Sequence, residues 1–191
     1  MLLILPLLAL ATPMQADGHV IKGAFGVMFG EDAGDMTVKR WEQSGPGGYW
    51  SGKGDGFFEQ SSVMMLRGRN WPMHITGTKY YRAGALPDQV KACANGMAIL
   101  RAKIRAKYPT LRLSPQEPAN PQLDRIFGRQ VKLTYEEPGA DRQGARKISI
   151  HCTEAYVSRD GLDIPTQLTI SYDISGNEFR DHTYWLRQRG G

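Results

Sequence analysis

Residues Leu86–Tyr108 read LPDQVKACANGMAILRAKIRAKY, and the reading of this stretch decides the fold. Its apolar side chains recur at Leu86, Val90, Cys93, Met97, Leu100, Ile104 and Tyr108. That alternation of fours and threes is the stripe of an amphipathic helix, so one face packs against something. Pro87 at the first helical position has no N–H to leave unsatisfied, and Asp88 beside it suits the positive end of the helix dipole. Arg101, Lys103, Arg105 and Lys107 complement the negative end, and Pro109 stops the helix near Tyr108. Gly96 is the weak link, costing about 1 kcal/mol relative to alanine. Either a neighbour approaches closely there or the helix tolerates the loss, and tolerance is the reading preferred from sequence.

Strand patterns lie on both sides of this helix. Phe57 to Arg67 and Met73 to Arg82 read as two strands joined by a turn around Gly68-Arg69-Asn70. After the helix, Leu113 to Leu123 carries Pro115, Pro118 and Pro121 and forms an extended connector. QVKLTYEE, RKISIHCTE and QLTISYDI then give three more strands. HVIKGAFGVMFGE at 19–31 is a first strand or a turn-rich lead-in, and Ala33 to Gly56 is a long glycine-rich and aromatic loop that no periodicity organises. The expected fold is α+β, an antiparallel sheet of about five to six strands on one central helix, in the order β-β-β-α-β-β-β. The tail EFRDHTYWLRQRGG reads as an edge strand or short helix with a basic end.

The first sixteen residues, MLLILPLLALATPMQA, have an apolar run, a Thr12-Pro13 break and a small residue at Ala16, the pattern of a secretory signal peptide. Cleavage follows Ala16 or, alternatively, Ala11. The run is shorter than the roughly 20 residues of a spanning helix, and no later stretch reaches that length, so the mature chain of 17–191 is expected to be a soluble single domain. The formal charge of +5 and pI of about 9.3 come from basic residues scattered over many segments, so no nucleic-acid partner is expected. Two cysteines in an exported chain are most simply one disulfide. In KISIHC, Cys152 alternates with Ser149 and His151 onto the apolar side of a strand, while Cys93 lies in the helix stripe. A Cys93–Cys152 bridge would clamp helix to sheet, and two reduced core cysteines are the alternative.

The order of FGVMFGE, two strands, a cysteine-bearing helix ending at KYP, then ISIHC and LTISYD, resembles small exported bacterial proteins of uncharacterised function. That resemblance implies a helix-to-strand disulfide and the α+β fold, and it implies no activity.

Chemistry is sparse in the pattern. The histidines, His19, His74, His151 and His182, form no H-E-x-x-H, and there is no C-x-x-C, so no metal and no cofactor are expected. His151 points outward from its strand and reads as a surface imidazole. Asp181-His182 are neighbours that face opposite ways on a strand. Glu136-Glu137 reads as a solvated turn edge rather than a glycosidase pair. Gly52-Lys53-Gly54-Asp55-Gly56 lacks the spacing and following helix of a P-loop, and Asp32, Asp35 and Asp55 lack calcium-loop spacing.

Two features suggest binding. Trp41, Tyr49, Trp50, Phe57 and Phe58 cluster in or beside the glycine-rich loop, where aromatics meet sugars or partner proteins unless they fold back to cap a core edge. Separately, Arg101, Lys103, Arg105 and Lys107, with Arg187 and Arg189, make a cationic surface for an anionic partner. The sequence reading is an exported binding or structural envelope module, with an envelope protein or glycan as partner. A small hydrolase assembling His74, His151 or His182 with carboxylates is the alternative, and an inhibitor or immunity-type protein the second.

Overall fold

The computed structural model describes residues 20–37, 41–45, 48–66, 70–115, 128–138, 146–158 and 161–174. The expected signal peptide, His19, most of the proline connector and the tail with His182 lie outside these residues. The elements in chain order are β1 (Gly23–Ala24), β2 (Val27–Met28), β3 (Glu42–Gly45), β4 (Tyr49–Lys53), β5 (Gln60–Met65) and β6 (Pro72–Tyr81). Helix α1 (Leu86–Lys107) follows, then β7 (Arg112–Leu113), β8 (Gln130–Glu136), β9 (Lys147–Thr153), β10 (Tyr156–Val157), β11 (Asp163–Ile164) and β12 (Thr166–Asp173). The class is α+β as expected, but the main antiparallel sheet has eight strands, ordered β3-β4-β5-β6-β12-β9-β8-β7.

Two of the additional strands come from the stretch read as a loop. Glu42 pairs with Ser51 and Gln43 with Trp50, and β4 pairs along its length with β5, so residues 42–53 form a hairpin on the edge of the sheet. The glycines that hid the alternation serve packing: a Cβ on Gly52 would lie 3.1 Å from the Trp41 ring. The other addition is β7, which turns the start of the proline connector into a short edge strand against β8.

The last strand, β12, is inserted between the meander β3–β6 and the meander β7–β9 and pairs antiparallel with both β6 and β9. Residues directly opposite in such pairs share a face. The row Trp50, Val63, Ile75, Tyr172, Ile148 and Tyr135 therefore crosses six strands on the apolar face. The next row, Gly52, Ser61, Gly77, Ile170, Ile150 and Leu133, is small at one end and large at the other. Over its small end lie Trp41, Phe25 and Phe58, and a Cβ on Gly77 would come within 2.4 Å of Phe25 and 2.9 Å of Phe58. Over its large end lies α1.

Helix α1 buries Cys93, Gly96, Met97, Leu100 and Ile104. Tyr108 is buried as the C-cap, while Leu86 at the other end of the stripe is 46% exposed. Leu86, not Pro87, is the first helical residue. Gly96 is a close contact and not a tolerated loss: a Cβ there would sit 2.4 Å from the Tyr81 hydroxyl and 2.7 Å from Leu168 Cδ2. One turn earlier Cys93 is bonded to Cys152, with Cα atoms 5.9 Å apart, tying α1 to β9.

The N-terminal segment covers the rest of the apolar face. Ile21, Val27, Phe29, Ala33 and Met36 are buried. Its anchor is polar: the Ile21 N–H donates to Glu137 Oε1 at 2.8 Å, and Arg146 donates to the Ile21 carbonyl at 2.9 Å. Arg146 also stacks on Phe29, 5.5 Å from the ring centroid. Arg146 and Glu137 are both buried, so Glu137 is not the solvated turn residue that the Glu136-Glu137 pair suggested. Its neighbour Glu136 faces the other way and bonds Lys147 at 2.9 Å, which holds its carboxyl below the usual range.

Two stability measurements test this packing. Gly96→Ala is expected to lower the urea midpoint, by about 1–3 kcal/mol of overpacking, despite the helix-propensity gain. A rise would mean that Tyr81 and Leu168 move aside freely. Cys93→Ser and Cys152→Ser should each cost about 4 kcal/mol for the loop they close, with the double variant little worse than either. Unequal losses would mean that the cysteines act separately.

Candidate functional site

A cavity of about 270 Å³ opens in the seam where α1, the β1–β2 hairpin and the segment between β4 and β5 meet over β12. Its size approaches that of small-ligand clefts, which begin near about 300 Å³. Ile170 and Tyr172 of β12 form the floor, Leu100 and Ile104 one wall, and Phe25, Phe57 and Phe58 the other. Each wall follows from local sequence. Leu100 and Ile104 are one helical turn apart on the buried stripe of α1. Phe57 and Phe58 are presented by a turn in which Asp55 Oδ1 accepts both of their backbone N–H groups at 3.2 Å. Phe25 occupies the tip of a two-residue hairpin, with Phe25 at φ 50° and Gly26 at φ 75°. Positive φ at both central residues is the requirement of a type I′ turn, and it strains a phenylalanine by roughly 1 kcal/mol or more. Contact with Phe58, edge to face at 5.7 Å between centroids, offsets that strain.

The rim is charged. Lys103 and Lys107 line the mouth from α1. Lys79 of β6 and Lys103 place their ammonium groups 4.9 Å and 5.1 Å from the centroid of the same Phe57 ring. Asp55 also lines the cavity, and at the floor burial, with smaller contributions from Tyr108 and Asp55, pushes the Tyr172 hydroxyl up, so it stays protonated as a donor. The cavity is thus largely apolar within, cationic on the helix side of its mouth, and provided at its floor with the Tyr172 phenol.

The structure divides the expected aromatic cluster. Phe57 and Phe58 line the cavity, whereas Trp41 is buried on Gly52 and Trp50 lies in the apolar row against the core. Tyr49 points to the opposite face beside Met64 and is 42% exposed. Trp50 is therefore explained by strand alternation, in a stretch whose sequence shows none. Lys103 and Lys107, read as a separate cationic surface, stand at the same opening as Phe57. Sequence reasoning missed Phe25, Lys79 and Tyr172. Gly26 after Phe25 was the available turn signal; Lys79 and Tyr172 needed the strand register.

The polar face holds a different set of groups. Ser51, Ser62, Thr76, Ser171, Ser149 and Thr134 form a hydroxyl row across six strands. His74 Nδ1 bonds Asp173 Oδ1 from directly opposite positions. His151, expected as an ordinary surface imidazole, is half-buried there. Burial first, then the Lys132 and His74 charges against the attraction of Asp173, lowers its pKa to about 4. None of these residues lines the cavity. Among the described residues no group of three or more His, Cys, Asp or Glu is placed to hold a metal, and no helix is long and apolar enough to cross a membrane.

Comparison of the chain with protein families, with characterised proteins and with solved structures finds no match.

The His151 shift has a defined sign. The unfolded chain binds this proton near pH 6.5 and the folded protein only near pH 4. Stability is full above pH 6.5, falls as the pH drops toward 4, and loses nothing more from this group below that. Urea midpoints across this window should fall less for His151→Gln than for the wild type; parallel curves would mean that His151 is well hydrated.

Proposed function

We propose that this chain is an exported binding domain whose ligand site is the seam cavity, and that the ligand is a small molecule with an apolar body. The observation that carries this reading is the aromatic wall of Phe25, Phe57 and Phe58 facing Leu100 and Ile104 across an open cavity of about 270 Å³. Four stretches distant in sequence line the cavity, and one of them holds a strained residue, as binding sites often do. The Cys93–Cys152 disulfide suits an oxidising, extracytoplasmic compartment, in keeping with the signal pattern of residues 1–16. A periplasmic or secreted module that captures a small molecule in the envelope fits these features. The hydrolase alternative rests on the His74–Asp173 pair, which lies on the opposite face of the sheet and has no part in the cavity.

Titration with the neutral fluorophore N-phenyl-1-naphthylamine tests the reading. Saturable enhancement is expected. Ala24→Phe, which fills the cavity from the hairpin, should weaken binding at least tenfold while the thermal midpoint is retained. Absence of binding by the wild type, or equal binding by the variant, would contradict the site.

A further inference from the structure

We infer that the seam cavity is built for an organic anion: a carboxylate, sulfonate or phosphate ester whose charged group rests between Lys103 and Lys107 while its ring or short chain lies against Phe57 and Phe58. This rests on the reading of the cavity as the ligand site and adds the class of ligand. Like charges are gathered around Phe57, and two of them, Lys103 and Lys107, line the cavity. Two ammonium groups, on Lys79 and Lys103, share one face partner, the Phe57 ring, at 4.9 Å and 5.1 Å, and Lys107 stands one helical turn beyond Lys103. Among the described residues none of these three lysines has a carboxylate within 4.0 Å. Glu59 is paired with Arg82 at 2.8 Å, and Asp55 accepts the Phe57 and Phe58 amides. An aromatic ring stabilises a nearby cation but does not neutralise a cluster of them. An anion at the mouth would do so, and low-dielectric walls of Phe57, Phe58, Leu100 and Ile104 strengthen that attraction relative to open surface.

The position of Asp55 sets the ligand's orientation. Its carboxylate lines the cavity beside Phe57 and Phe58, whose amides it accepts, so that side of the site disfavours negative charge. The anionic end therefore faces the helix lysines, and the Tyr172 hydroxyl is left to donate to a neutral acceptor on the ligand body. A neutral apolar molecule would use the walls alone, and an organic cation would meet the lysines unfavourably.

A matched probe pair separates this inference from the underlying reading. 1-Anilinonaphthalene-8-sulfonate and its neutral parent, N-phenyl-1-naphthylamine, share one ring body and differ by the sulfonate. With the folded, disulfide-bonded protein at low salt, the sulfonate is expected to bind about tenfold more tightly than the parent. The ratio should shrink as salt rises and should approach one in Lys103→Gln/Lys107→Gln, while Asp55→Asn should increase it. Equal affinities in the wild type, tighter binding of the parent, or a ratio untouched by the lysine variant would overturn the anion assignment and leave the cavity as a neutral site. Failure of both probes would overturn the cavity reading, and the anion assignment with it.

Discussion

The pairing of β12 with β6 on one side and β9 on the other is the constraint on which the rest of the molecule depends. The chain builds one meander before α1 and another after it, and neither borders the other in the sheet. Only when the last strand enters does a single apolar face exist, with Leu168, Ile170 and Tyr172 in its middle. Helix α1 packs on that strand and on β9, and the disulfide joins the helix to the strand beside β12. Most contacts that define the core are thus distant in sequence. Closing such long loops costs entropy before the packing can offset it.

The apolar face is graded rather than uniform, and that grading positions the cavity. Where the sheet presents Gly52, Ser61 and Gly77, aromatic rings from the loops descend onto the backbone; where it presents Ile170 and Ile150, the helix covers it. The two coverings have different origins. They meet over Ile170 and Tyr172 without closing, and the unfilled seam is the cavity. Its hairpin wall is fixed from a distance by the buried Arg146 and Glu137, which hold the backbone carbonyl and N–H of Ile21.

Periodicity made the helix, the two strands before it and the three long strands after it legible, because each carries many residues in one pattern. The apolar stripe correctly marked Cys93, Met97, Leu100, Ile104 and Tyr108, and the alternation in KISIHC correctly put Cys152 inward. It failed where glycine replaced the expected apolar residue. Gly52 breaks the pattern of β4, yet it marks close packing by Trp41, and Gly96 looked expendable until Tyr81 and Leu168 were placed beside it. The burial of Glu137 and Arg146 was hidden for another reason: their partner, Ile21, is more than a hundred residues away. The candidate site was half legible. Phe57 and Phe58 were named as aromatics and Lys103 and Lys107 as cations, but their convergence depends on the placement of β12, which no local pattern specifies.

Native-state hydrogen exchange most directly tests the claim that β12 unites the sheet. The account predicts that slow amides of β6, β9 and β12, including those of Ile75, Ile150 and Ile170, share one opening free energy equal to global unfolding. If the β3–β6 meander instead retained protection while β9 and β12 exchanged at lower free energy, the two halves would be separate units. The central role assigned to β12 would then be wrong.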